Sequence, residues 1–137
     1  MANYDIVTSK MGGNDLSWRS LTMTVLDAQV IASGATFTTD ALFIIDGGFE
    51  SLQTVIVGAT GLITIDYVCD NSNNDANFAT PFAEGVSIGG LVATRGPGVA
   101  FDVISMAPSQ RKKFIFTNTG AGSATVSVYL NLVLKDE

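Results

Sequence analysis

The sequence predicts an all-β fold, an antiparallel β-sandwich of jelly-roll-like form in a single domain, and three observations predict it. Apolar residues alternate with polar ones along several short runs, as a strand with one buried face requires. Glycine-rich turn signals separate those runs at short intervals. No segment carries apolar residues at a 3.6-residue period over three turns, so no amphipathic helix is expected. A small barrel is the alternative that the same pattern allows. The length of 137 residues suits one domain, because two domains would each bury too little surface.

Taken in order, residues 1–20 read as an N-terminal arm, with Met11-Gly-Gly-Asn14 as an irregular stretch before the first clear strand. The sandwich domain is expected to span 21–137. Leu21, Met23 and Val25 alternate with Thr22 and Thr24 and place three apolar side chains on one face. Ile63, Ile65, Tyr67 and Cys69 repeat the pattern, and so do Val126, Val128, Leu130, Leu132 and Leu134 at the C-terminus. Further strands are expected at Ala41 to Ile45, Leu52 to Val57, Val86 to Val92, Val99 to Ile104 and Lys113 to Thr117, all rich in Val, Ile, Phe and Thr. Turns are expected at Gly47-Gly48, Gly58 to Gly61, Gly96-Pro-Gly98 and Thr119 to Gly122, where glycine tolerates positive φ. The longest irregular stretch runs from Asp70 to Glu84.

Composition narrows the function classes. Seven basic against 13 acidic residues give a net charge of −6, which disfavours a nucleic-acid partner, since phosphate binding draws on Lys and Arg. The only basic cluster, Arg111-Lys112-Lys113, reads as edge charge that discourages stray strand pairing. An anionic-partner site is the other reading of that cluster. No apolar run is long enough for a secretory leader or a membrane span, so no membrane partner is expected and synthesis in the cytoplasm is. Charged residues make up 15% of the chain and apolar residues 47%, against a typical charged share of about 25%. The stretches 28–39, 51–65 and 114–134 contain no ionised side chain. Two readings of them stand: strands covered by other protein in the working state, or strands central to the chain's own sheets.

Catalysis finds little to work with. The chain has no histidine, which removes the Ser-His-Asp and Cys-His nucleophile systems and the usual zinc ligands. Asp66, Asp70, Asp75 and Glu84 remain as candidates for a carboxylate acid–base pair. Asp70-Asn-Ser-Asn-Asn-Asp75 begins like a calcium loop, but an EF-hand needs Gly at the sixth position and Glu at the twelfth, where this chain has Asp75 and Pro81. Self-capping Asn and Asp side chains in a turn explain the same run. Cys69 is alone and reads as a small apolar strand residue. Trp18, Tyr4, Phe78 and Phe82 lie in irregular stretches, where aromatics either form a sugar platform or anchor loops. No catalytic, cofactor-binding or metal site is expected.

Gly48-Phe-Glu-Ser-Leu-Gln-Thr-Val-Ile-Val-Gly-Ala-Thr-Gly61, then Ile63-Thr-Ile-Asp-Tyr-Val68, an Asn-rich loop, Arg111-Lys-Lys-Phe-Ile-Phe116 and Thr117 to Gly122 together resemble small virion structural proteins of tailed bacteriophages, of the capsid decoration or cement type. The resemblance implies a β-sandwich or jelly roll without catalysis. It also implies a virion location, a homo-oligomer such as a trimer, and contact with the major capsid protein or another virion protein. A tail, collar or fibre component belongs to the same class. The chain departs from the pattern in its longer region from Phe78 to Met106. A carbohydrate-binding module is the rival from outside that class, and would need exposed aromatics on one face.

Overall fold

A computed structural model describes residues 4–10, 17–43, 49–83, 86–87 and 91–136, with side chains over 20–43, 50–81 and 91–132. Twelve strands are described: β1 (Tyr4–Lys10), β2 (Ser17–Ile31), β3 (Thr36–Thr38), β4 (Leu42–Phe43), β5 (Phe49–Val57), β6 (Ile63–Asp70), β7 (Phe82–Ala83), β8 (Val86–Ser87), β9 (Leu91–Arg95), β10 (Gly98–Ile104), β11 (Arg111–Asn118) and β12 (Ala124–Asp136). One 3-10 turn, Asp75–Asn77, interrupts the loop after β6. The expected turn at Gly47-Gly48 lies outside the described residues.

Ten of the strands form two antiparallel sheets that pack face to face, and β7 and β8 pair with each other as a separate two-stranded ribbon. The larger sheet has the order β1-β2-β12-β5-β10 and the smaller β3-β11-β6-β9, with β4 also on β11. The pairings are nested: β2 with β12, β3 with β11, β5 with β10 and β6 with β9. The chain is therefore one long antiparallel hairpin rolled into two sheets, which is the winding of a jelly roll. Residues 1–20, expected as an arm, contain β1 and the first four residues of β2; β1 pairs along its whole length with β2, from Tyr4 opposite Met23 to Lys10 opposite Ser17.

The core lies between the sheets and is made by alternate residues. Leu52 and Ile56 of β5 and Val126, Val128, Leu130 and Leu132 of β12 face Ile63, Ile65 and Tyr67 of β6 and Phe114 and Phe116 of β11, all buried. Each such side chain contributes about 1.5–3 kcal/mol on burial. β2 departs from simple alternation, because its register against β12 shifts twice, between Val126 and Val128 and between Val128 and Tyr129. Leu21 and Met23 face inward, then Leu26, then Ile31. Ala28 takes a φ of 48° at the irregularity between Val126 and Val128 and donates its N–H to Ser127 Oγ at 3.0 Å. Such bulges keep a long strand wrapped on a twisted core.

One end of the sandwich is closed by loops in backbone contact. A Cβ on Gly61 would come within 2.7 Å of Gly120 Cα, and one on Gly120 within 2.6 Å of Gly61 N, so both positions require glycine. Around them Thr60 Oγ1 accepts from the N–H groups of Ala121 and Gly122 at 2.8 and 2.9 Å. Asn118, fully buried, donates to the carbonyls of Ile31 and Gly122 and accepts from Gly120 N.

This architecture decides between the two readings of the charge-free stretches and corrects the reading of the basic cluster. The charge-free stretch 114–134 comprises β11 and β12, each with a neighbour on both sides, and β5 within 51–65 lies between β12 and β10. These strands are bare of charge because they are central in the chain's own sheets, so their composition alone does not call for a covering partner. The basic cluster is not edge charge either. β11 is central, Arg111 and Lys112 are buried at 6% and 0% exposure, and Arg111 is paired with Asp70 on the neighbouring strand.

Candidate functional site on the outer face of the larger sheet

The outer face of the larger sheet is built by the residues that alternate with the core. On β5 these are Ser51, Gln53, Val55 and Val57, and on β12 they are Thr125, Ser127, Tyr129 and Asn131; cross-strand pairs set them side by side, Tyr129 opposite Gln53 and Asn131 opposite Ser51. β10 adds Val99 opposite Val55, Phe101 opposite Gln53 and Val103 opposite Ser51. None of these side chains is ionisable near neutral pH. Asp27, at the irregular stretch of β2, is the nearest exposed carboxylate along the strand pairing.

Apolar exposure concentrates on β10. Val99, Phe101 and Val103 are 69%, 65% and 83% exposed, which places all three outside the core on one edge strand. The opposite parity, Ala100, Asp102 and Ile104, faces inward and is half-buried. A hydrophobic alternation would ordinarily bury the Val-Phe-Val face. It is inverted here: Asp102 takes an inward position and meets Arg95 of β9, whose Nε donates to Asp102 Oδ2 at 3.0 Å while Nη2 contacts Oδ1. That hydrogen bond and the charge of Arg95 keep the Asp102 carboxyl below its ordinary range. The pair links the edge strands of the two sheets. Beside Phe101, a cleft of about 240 Å³ is lined by Thr22, Ser51, Gln53, Phe101, Tyr129 and Asn131. Asn131 is fixed in it, donating to Ser20 Oγ and Thr22 Oγ1 at 2.7 and 2.8 Å.

The outer face of the smaller sheet is different, because the loop after β6 is tied to it. Asp70 and Arg111 stand directly opposite on β6 and β11, and the guanidinium donates to Asp70 Oδ2 from Nε at 3.0 Å and Nη2 at 2.6 Å. Its remaining arm reaches Asp75 Oδ1 in the loop at 2.7 Å. Asp70 Oδ1 accepts from both Ser72 N and Ser72 Oγ. The Ser72 hydroxyl, and after it Arg111, hold the Asp70 carboxyl far below the usual carboxylate range despite its burial. Phe78 is stacked with Arg111 and Lys113, whose cationic groups lie 5.0 and 4.6 Å from the ring centroid. Asn74 caps the 3-10 turn, and Asn71 accepts from Gln110 N at 2.7 Å.

The candidate residues named from the sequence are thereby placed. Asp70 and Asp75 converge, but on Arg111, as an ion network that fastens a loop. Asp66 shares the outward parity of β6 with Asp70 four residues away, about 13 Å along a strand, and so cannot act with it on one bond. Glu84 lies outside the described residues. Among the described residues no group of three His, Cys, Asp or Glu side chains is placed to hold a metal ion. Phe78 anchors a loop; the side chains of Tyr4, Trp18 and Phe82 lie outside the described ones. Cys69 is a free, half-buried strand residue against the core. Phe43 and Phe101, which are exposed, and Tyr129, which is half-buried, were not singled out by the sequence reading, because each sits inside a strand pattern. No known family model matches the chain, and no curated protein matches it significantly.

Proposed function

We propose that this chain is a non-enzymatic structural protein of a phage virion, which decorates and stabilises the capsid through contacts with its own copies and with the capsid surface. The observation that carries the reading is the uncharged part of the larger sheet's outer face over β5, β10 and Thr125 to Asn131 of β12, ending in an edge strand with Val99, Phe101 and Val103 exposed. Exposed apolar side chains of this extent, on an edge free to pair, mark a surface that works against other protein. The resemblance of the segments 48–68 and 111–122 to decoration proteins gives the reading its virion setting. The net charge of −6 suits a position outside a shell that holds DNA. Mass spectrometry of purified virions from the source of the sequence tests it. Detection at many copies per particle supports the proposal; absence from particles overturns it, and labelling of the tail instead of the shell moves the protein to the tail, collar or fibre.

A second reading rests on the cleft. Phe101 and Tyr129 flank amide and hydroxyl side chains of Gln53, Asn131, Ser51 and Thr22, a combination of aromatic face and neutral hydrogen-bonding groups that suits an uncharged sugar. A glycan array probed with the wild type and Tyr129→Ala decides it: a hit lost in the variant supports carbohydrate binding, and an empty array removes it.

A further inference from the structure

We propose that β10 is the seam of a two-fold dimer, in which the strands from two copies pair antiparallel about Phe101 and join the larger sheets into one of ten strands. The inference rests on the assembly reading above and names its surface. Exposed edges are normally protected by shortness, Pro, Lys, bulges or charge. The other edges of the two sheets have such protection: β1 carries Asp5 and Lys10, β3 is three residues long, and β9 is five residues long and ends in Arg95. β10 has seven residues, no Pro, no Lys, and unbroken register with β5 from Gly98 to Ile104. Its one charge, Asp102, is turned inward and held by Arg95. Among the described residues, β10 has a strand partner on one side only.

The sequence of β10 also selects the register. The outward residues of β10, Val99, Phe101 and Val103, are symmetric about Phe101. Pairing Phe101 with Phe101 of the second copy sets Val99 opposite Val103 and Val103 opposite Val99. All three exposed apolar residues of each copy then lie in one stripe on the outer face, and all seven residues take part, along about 23 Å of strand. Asp102 falls opposite Ala100. A shift of two residues one way would place Asp102 opposite Asp102 of the second copy, which like-charge repulsion disfavours. A shift the other way leaves Val103 and Ile104 without a partner in the strand and pairs Asp102 with Gly98. The main-chain bonds supply affinity and the apolar stripe supplies specificity, as in other edge additions. A two-fold seam makes the building unit a dimer, where the resemblance implied a trimer.

Charge reversal at the axis tests both the seam and its register. In this register residue 101 meets its own copy, so Phe101→Lys and Phe101→Glu each place like charges directly opposite. Analytical ultracentrifugation of the full chain is expected to show a dimer for the wild type at about 100 μM, monomers for each variant with at least tenfold weaker self-association, and a restored dimer in an equimolar mixture of the two. Thermal melts confirm that both variants fold. A wild type that stays monomeric, a Phe101→Lys variant that sediments like the wild type, or a mixture that stays monomeric overturns the seam. A chain found in virions but indifferent to Phe101→Lys keeps the virion reading and loses the seam; a chain absent from virions whose charge variants behave as expected does the reverse.

Discussion

The outer faces of the two sheets solve the same problem in opposite ways. The smaller sheet carries its charges at Asp70 and Arg111 and uses them to hold the chain's own loop against its surface. The larger sheet carries no group charged near neutral pH on the outward positions of β5 and β10, and none on those of β12 from Thr125 to Asn131, and leaves Val99, Phe101 and Val103 in solvent. Two faces of similar strands thus differ in where their covering comes from. One is partly covered by the chain's own loop, with Phe43 and Leu91 still exposed beside it, and the other has no such loop over Val99, Phe101 and Val103 among the described residues. Charge on a strand does not by itself mean an exposed edge, and its absence does not by itself mean an interface. What decides is whether the strand is central and what lies over it.

The largest expected effect comes from uncoupling the loop that covers the smaller sheet. Arg111→Met leaves the Asp70 carboxylate buried without its cation and frees Asp75, and a buried charge stripped of its partner is strongly destabilising. Tm is expected to fall by on the order of 10 °C, with new protease cleavage between residues 71 and 79. Phe101→Ser, on the other outer face, is expected to stay within about 2 °C of the wild type when both are measured at low concentration, where the chain is monomeric. Equal losses from the two substitutions would break the comparison.

Acid sharpens it next. The Asp70 carboxyl is depressed from its ordinary 3.8 by the Ser72 hydroxyl and by Arg111. A carboxylate depressed on folding stabilises the fold fully above its unfolded value, and the contribution is lost as pH falls from there through the lower folded value. Stability should therefore drop on acidification below about 3.8. Ser72→Ala, which removes the leading cause of the depression, is expected to lower Tm at neutral pH and to reduce the further loss between neutral pH and about pH 3. Asp102 is depressed in the same direction by Arg95. Asp102→Asn separates the two: it should soften the acid loss while leaving the loop after β6 resistant to protease.

Much of this architecture was legible in the sequence, and the parts that were not have physical reasons. The alternations 63–69 and 126–134 identify β6 and β12, because Ile63, Ile65 and Tyr67 of the one and Val126, Val128, Leu130 and Leu132 of the other keep one face in the core. β2 was legible only from Leu21 to Val25; beyond that its two register shifts change which parity faces inward. β1 was missed because Tyr4–Lys10 pairs with β2 alone, and its pattern is short. The strand 98–104 was legible, but its buried face was not. Composition favours Val99, Phe101 and Val103 inside, whereas the inward positions go to Ala100, Asp102 and Ile104, and the partner of Asp102, Arg95, stands in the other sheet. The Arg111 cluster was read as edge charge because its partner, Asp70, lies 41 positions away. Pairing across that distance is set by topology and leaves no local trace.

A smaller effect is expected from the aromatic part of the loop. Phe78→Ala removes the ring between Arg111 and Lys113 but leaves the hydrogen-bonded ion network in place. A loss of about 2–4 °C in Tm is expected, well short of the Arg111→Met effect. A loss as large as that of Arg111→Met would mean that packing of the ring, and not the paired charges, fastens the cover.

The smallest expected effect concerns calcium at the Asp70–Asp75 run. A cation there competes with a guanidinium already bonded to both carboxylates, at 2.6 Å to Asp70 and 2.7 Å to Asp75. The Asn side chains that supply oxygen ligands in a calcium loop are also committed, Asn74 to the cap of the 3-10 turn and Asn71 to Gln110 N. Binding only to the folded state raises Tm with ligand concentration, so a melting curve unchanged by millimolar calcium is the expected result. In Arg111→Met the same carboxylates lose their cation, and calcium should then recover part of the lost Tm if the loop keeps its shape. A rise in the wild type would show that Arg111 yields its place, and that the cover on the smaller sheet is a switchable ligand site and not a fixed part of the fold.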